Sequence, residues 1–207
     1  MELHLVRHGE PWRVGVGESE GPADPGLTER GRDQADRLAS WLAAERIDTI
    51  VTSPLRRARE TAAPLAALLE IDPIVDDGVT EYDAHSDEYI PIEEQRAAKD
   101  DRWKASIAGE WEDGVDPEEF QARVVAAIDA IAAHSAGRRV AVIAHGGVIN
   151  VYLAHVLGLP NRLWFHPEYT SVSRVLAAQS GLRSVSSLNE TAHLFATHDH
   201  AIPGGAL

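Results

Sequence analysis

The apolar positions fall into two alternating rhythms. Residues 2–7 form a short apolar run carrying Leu3, Leu5 and Val6, which reads as a strand stopping at Arg7-His8-Gly9-Glu10. Residues 11–27 are rich in Gly and Pro without periodicity and read as a loop. Thr28 is placed to cap a helix in which Leu38, Trp41 and Leu42 recur at helical spacing through Ala44, and the β-branched stretch 47–51 then reads as a strand ending in Thr52-Ser53-Pro54. A helix is predicted over 55–69, another over 120–133, and a strand over 140–144 that stops at His145-Gly146-Gly147, with a further helix from about 148.

This order of strand, helix, strand, helix predicts an α/β fold, a three-layer α/β/α sandwich with a mostly parallel central sheet. Ligands of such folds sit beyond the carboxyl ends of strands, where Arg7-His8, Ser53-Pro54 and His145-Gly146 all emerge. One domain is expected over 1–207. Residues 82–116 are acidic, dotted with Tyr82, Tyr89, Trp103 and Trp111, and lack a strand signal; they read as an excursion of helices and loops, a candidate lid. Residues 171–177 and 183–188 read as a hairpin around Ser180-Gly181, and 198–207 as a frayed tail.

Charge narrows the partners. Nineteen Lys and Arg against 33 Asp and Glu give a formal charge of -14, which disfavours nucleic acid and anionic membrane surfaces. A small phosphorylated substrate is anionic too, so its site needs a local cluster of arginines acting at short range. The chain has no cysteine, which removes thiolate nucleophiles and thiolate metal sites, and no apolar run long enough to span a bilayer; a cytoplasmic protein is the expectation.

Two histidines and an arginine at strand ends suggest phosphoryl chemistry. A neutral imidazole is a good nucleophile toward phosphorus, and Arg7 beside His8 supplies a charge that binds phosphoryl oxygens while disfavouring the imidazolium. Arg56, Arg57 and Arg59 follow a strand on the first turns of a helix; they point in different directions, so only one or two can face the strand ends. His145 precedes two glycines, and the N–H groups of the following helix, Gly146 among them, could add to an anion site.

Leu5-Val6-Arg7-His8-Gly9-Glu10, Leu27-Thr28-Glu29-Arg30-Gly31 with Gln34-Ala35, Ser53-Pro54-Leu55-Arg56-Arg57-Ala58 with Glu60-Thr61, and Ala144-His145-Gly146-Gly147, in that order, resemble the histidine phosphatase superfamily in its phosphoglycerate-mutase-like branch. The resemblance implies that His8 is phosphorylated, that Arg7, Arg57 and His145 hold the phosphoryl group, and that an acid after the second helix protonates the leaving oxygen; the residues themselves suggest that His145 would act on the equatorial oxygens as a cation. Glu81 stands at the matching place, with Asp77, Asp83 and Glu88 as rivals. It implies a phosphohistidine mechanism with no metal and no cofactor.

The chain departs from the mutase pattern. Pro11 and Val14 stand where such members commonly carry a serine or threonine and an asparagine, and Tyr82-Asp83 follows the acid where mutases tend to have an arginine. The expected function is therefore hydrolysis of a small phosphomonoester; the alternatives are a phosphoglycerate mutase and, in another class, a non-catalytic phospholigand-binding or regulatory module. Gly15-Val16-Gly17 with Gly21 lacks the spacing of a dinucleotide fingerprint, and His193, His198 and His200 read as solvated rather than as a metal site. Trp12, Trp103, Trp111 and Trp164 are candidates for a pocket mouth or for packing.

Overall fold

The computed structural model describes residues 1–18, 20–111 and 114–195. Its elements run β1 (Glu2–Arg7), α1 (Glu29–Ala43), β2 (Thr49–Thr52), α2 (Arg56–Leu69), β3 (Ile74–Val75), α3 (Ile92–Ala98), α4 (Asp101–Ile107), α5 (Pro117–His134), β4 (Arg139–Ala144), α6 (Gly146–Leu157), β5 (Val172–Ala177), β6 (Arg183–Glu190) and α7 (Ala192–Phe195). Among the described residues the strands form one sheet in the order β3-β2-β4-β1-β5-β6, and β5 alone runs against the others. The mostly parallel sheet and the hairpin follow the sequence pattern; the frayed-tail reading of 198–207 lies outside the described residues.

Alternation along the inner strands sorts the core into two layers. Leu3, Leu5, Val140 and Val142 face Val124 and Ile128 of α5 and Val148 and Tyr152 of α6. Val6, Ala141 and Ile143 face Leu38 and Leu42 of α1 and Ala58, Ala62 and Leu65 of α2. Both faces of the sheet are thereby covered, which is why its central strands read as continuous apolar runs.

Element boundaries differ from the sequence reading where polar residues begin a helix. α5 starts at Pro117 because Asp116 caps it, accepting from the Glu118 and Glu119 N–H groups, and proline and glutamates suit a first turn without contributing periodicity. α6 starts at Gly146, two residues before the expected position, because glycines read as loop although His145 already stands as the N-cap. The two-residue β3 was not expected; both its residues are exposed, so no apolar pattern marks it.

The excursion 82–116 holds the two seven-residue helices α3 and α4. Its first part is fastened to the loop 11–27: Val14 and Tyr89 exchange backbone hydrogen bonds (2.9 and 2.8 Å), and the Ala23 N–H donates to Ser86 O (2.7 Å). Among the described residues no helix is long and apolar enough to cross a membrane.

Candidate active site

Strand register brings the two histidines together. Arg7 of β1 lies opposite Ala144 of β4, so the next residues, His8 and His145, leave the sheet side by side with ring centroids 5.1 Å apart. Thr52 of β2 lies opposite Ile143, which puts Ser53 at the same edge, its hydroxyl 2.8 Å from His145 Nε2. The second motif is scaffold. Thr28 caps α1 by accepting from the Gly31 N–H (2.9 Å), its own N–H donates to Glu10 O (2.9 Å), and Gln34 Oε1 accepts from the Glu10 N–H (2.9 Å). A Cβ on Gly31 would collide with the Glu10 backbone, so glycine there lets the loop after His8 lie against α1. Thr61 ties the same loop to α2, accepting from the Gly9 N–H (2.9 Å) and donating to Arg57 O (2.7 Å).

His8 is buried, and its Nδ1 lies 2.8 Å from Gly9 O. A carbonyl only accepts, so Nδ1 carries the proton and Nε2 is left as a lone pair. Burial, then Arg57 and Arg7, hold its pKa well below the usual imidazole range. His8 is therefore neutral at pH 7.

Arg7 and Arg57, 3% and 1% exposed, are each held by a carboxylate and a ring. Arg7 Nη1 donates to Glu93 Oε1 (2.6 Å) and to Pro167 O (2.6 Å), with its guanidinium 4.1 Å from the Tyr169 ring centroid. Arg57 Nη2 donates to Asp83 Oδ1 (2.9 Å), with its guanidinium 4.6 Å from the Tyr89 ring centroid. Burial opposes charge on both arginines, but Glu93 and Asp83 outweigh it and raise their pKa values. Arg7 Nε and Arg57 Nε and Nη1 are buried donors without a partner. Arg56 is instead exposed and paired with Glu60 (2.6 Å), and Arg59 is exposed, as their helix positions imply.

Glu81 is 8% exposed and accepts from the Gly147 N–H (2.8 Å) and the Tyr82 N–H (3.1 Å). Burial and then Asp83 raise its pKa to about 7 against the opposing pull of those two N–H groups, so it carries a proton for part of the time at neutral pH. A Cβ on Gly147 would collide with Glu81 Oε1 and lie 2.8 Å from the Tyr82 ring; glycine at that place lets the carboxyl approach the start of α6. The rivals have other partners: Asp83 binds Arg57 and Glu88 binds Arg102, while Asp77 sits in the 3₁₀ turn Asp77–Val79.

One expectation is corrected. His145 was expected to act as a cation, but burial, followed by Arg57, His8 and Arg7, holds its pKa well below the usual range, so the imidazole is neutral. Ser53 Oγ accepts from the Leu55 N–H (3.3 Å) and lies within hydrogen-bond distance of His145 Nε2 (2.8 Å). His145 Nδ1 is buried without a partner.

Arg7, His8, Arg57, Glu81 and Gly146 line one cavity of about 730 Å³, and His145, fully buried, is in ring contact with His8. Trp103, Trp111 and Trp164 line its outer part, whereas Trp12 is exposed elsewhere. Sequence reasoning missed Ser53 as a partner of His145, and Glu93, Tyr89, Tyr169 and His166 as supports; His166 Nε2 lies 3.1 Å from Glu93 Oε1. The Thr52-Ser53-Pro54 strand end was the available signal for Ser53. His193 is buried and stacked on Trp41 at 5.1 Å rather than solvated; His198 and His200 lie outside the described residues.

The family model for the histidine phosphatase superfamily, branch 1, matches residues 3–191. A "Probable phosphoglycerate mutase GpmB" of Yersinia enterocolitica is 29% identical over 94% of this chain and 95% of its own length. "Phosphoserine phosphatase 1" of Hydrogenobacter thermophilus is 41% identical over a shorter stretch, 40% of this chain and 39% of its own. Among solved structures, a phosphoserine phosphatase of Entamoeba histolytica in complex with phosphoserine has TM-score 0.73 at 22% identity, covering 93% of this chain and 98% of that one. A mycobacterial glucosyl-3-phosphoglycerate phosphatase has TM-score 0.72 at 24% identity, covering 92% and 99%.

Proposed function

From the premise that this chain belongs to the histidine phosphatase superfamily, branch 1, and is a phosphoric monoester hydrolase, we propose that it hydrolyses a small phosphomonoester through a phosphohistidine on His8. The observation that carries the reading is His8 itself: a neutral imidazole with its Nε2 lone pair free, beside two buried arginines of which Arg7 Nε and Arg57 Nε and Nη1 have no partner. Nε2 attacks phosphorus in line as the bond to the alcohol oxygen breaks, and the proton on Glu81 passes to that oxygen. Water then attacks the phosphohistidine, the Glu81 carboxylate takes its proton, the N–P bond breaks and inorganic phosphate leaves. Arg7 Nε, Arg57 Nε and Nη1 and the Gly146 N–H at the start of α6 are the donors available to the equatorial oxygens, joined by His145 Nδ1 in the tautomer that carries its proton there.

The test is rapid quenching with a phosphate-labelled ester. Wild type accumulates an acid-labile, base-stable phosphoenzyme and releases one phosphate per alcohol; His8→Ala forms no label and loses at least about 10⁴-fold in kcat. Equal turnover by the two proteins overturns the mechanism. Return of the label to another hydroxyl of a sugar acid, with no free phosphate, would favour a mutase.

A further inference from the structure

The phosphoryl cradle occupies only one end of the cavity, and the other end describes the alcohol. The full volume, about 730 Å³, is that of a cleft for a ligand well beyond a three-carbon acid, since binding clefts for drug-sized molecules span roughly 300–1,000 Å³. Beyond the cradle its walls are Tyr82, Trp103, Trp111, Trp164 and Phe165. These rings brace one another: Tyr82 and Trp111 stand 5.4 Å apart, both lie 5.7 Å from Phe120, and Trp164 lies 4.5 Å from Phe165. Trp103 meets His166 edge-on at 6.2 Å. Walls so rich in aromatic side chains suit an occupant that is itself a ring.

The charges around those rings disfavour a carboxylate. Asp83, Glu88 and Glu110 line the cavity, and among its described lining residues outside the cradle Arg102 is the one Lys or Arg. Arg102 is half exposed and paired with Glu88, so its field is both screened and answered. His166 is likewise bound to Glu93. The indole N–H of Trp164, buried and without a partner, is a donor suited to a neutral acceptor such as a hydroxyl or ring carbonyl.

Resting on the phosphatase reading, we propose that the substrate is the phosphate monoester of an alcohol that carries a flat ring and no carboxylate. A phosphorylated small acid would bring a second anion into an outer cavity already lined by Glu88 and Glu110, with Asp83 at its inner boundary.

The experiment compares wild-type kcat/KM for four alkyl esters, so that leaving-group chemistry is nearly constant: 2-phenylethyl phosphate, glycerol 3-phosphate, phosphoserine and 3-phosphoglycerate. The expected order puts 2-phenylethyl phosphate first, at least about tenfold above glycerol 3-phosphate and about a hundredfold above both carboxylates. Trp103→Ala should lower the phenylethyl-to-glycerol ratio by about fivefold, a ratio that general loss of activity does not move. Tryptophan fluorescence titrations of wild type with phenylphosphonate and phosphonoacetate, which cannot turn over, should favour the former. Turnover of all four with the carboxylates ahead overturns this inference and leaves the phosphatase reading standing. No turnover of any ester, with no phosphoenzyme, overturns both.

Discussion

The inner and outer ends of the cavity are built on opposite principles. At the inner end the groups around the cradle, Glu81 apart, rise from a strand end or the first turn of a helix: Arg7 at the end of β1 and His8 after it, Ser53 and Arg57 around the start of α2, His145 and Gly146 at the start of α6. Register fixes them, and Arg7, His8, Arg57 and His145 are no more than 3% exposed. The outer end comes from the two seven-residue helices and their loops together with the loop after α6 that carries Trp164 and Phe165, with side chains half-buried or exposed. The difference teaches where chemistry and selectivity can separate: a strand edge holds positions within a fraction of an ångström whatever the outer loops do, while the loops can change without disturbing the edge. Glu81, Asp83, Tyr89 and Glu93 cross this boundary, belonging in sequence to the outer part and in space to the inner.

The largest expected effect beyond loss of the nucleophile comes from Glu81, since it alone joins proton transfer to the outer segment. Glu81→Gln should lower kcat for an alkyl ester about 10³-fold but by less than tenfold for an activated aryl ester, whose oxygen leaves without a proton. In the proposed mechanism the working form of Glu81 is the acid, so wild-type kcat/KM should fall as pH rises through about 7, and the Gln variant should lose that limb. His8 works as the neutral base and is held well below the usual imidazole pKa, so the opposing limb lies well below pH 6.5. Because folding raises the Glu81 pKa, the native state binds more protons than the unfolded chain between about pH 4.5 and 7, and this group costs stability as pH rises across that interval. Thermal melts at pH 8 should therefore show Glu81→Gln above wild type. An alkyl ester hydrolysed equally by both proteins would remove Glu81 from the mechanism.

Arg57 sharpens the comparison within the inner end. Arg57→Lys keeps a cation near Asp83 but loses the planar fork that presents Nε and Nη1 together, so kcat/KM should fall about 10²-fold with weaker inhibition by vanadate. Arg59→Ala, an exposed position two residues on and about half a turn around the helix, should stay within about twofold. Comparable losses in the two variants would mean that the arginine cluster acts through general charge rather than through directed hydrogen bonds.

What the sequence made legible follows the same division. The strands of the inner end announce themselves because both faces are buried, and their carboxyl ends coincide with Arg7-His8 and His145-Gly146. Arg57 could be separated from Arg56 and Arg59 because a helix turns each residue to a different side. The outer helices gave no periodic signal, since α3 has no buried residue and α3 and α4 are each two turns long. Glu93 meets Arg7 across 86 positions, a pairing no local pattern encodes. His145 was misjudged in charge because its neutrality comes from burial and from three neighbours that only the fold assembles.

Glu93 carries the smallest effect and the most direct test of whether the two ends are coupled. It supplies a brace and a charge to Arg7: burial resists its ionisation, but Arg7 and His166 hold its pKa well below the usual carboxylate range. The two roles pull apart on substitution. Glu93→Gln keeps the shape and one acceptor while removing a negative charge beside the cradle, so inorganic phosphate should inhibit several-fold more tightly with kcat within about threefold of wild type. Glu93→Ala removes the brace as well; Pro167 O and the Tyr169 ring alone then hold the Arg7 guanidinium, and kcat should fall about tenfold. A glutamine variant that recovers most of the kcat lost by the alanine variant, yet binds phosphate more tightly than wild type, identifies Glu93 as a positioning residue through which the outer segment sets the geometry of the inner one. Identical behaviour of the two variants would break that link and leave Arg7 held by the strand edge alone.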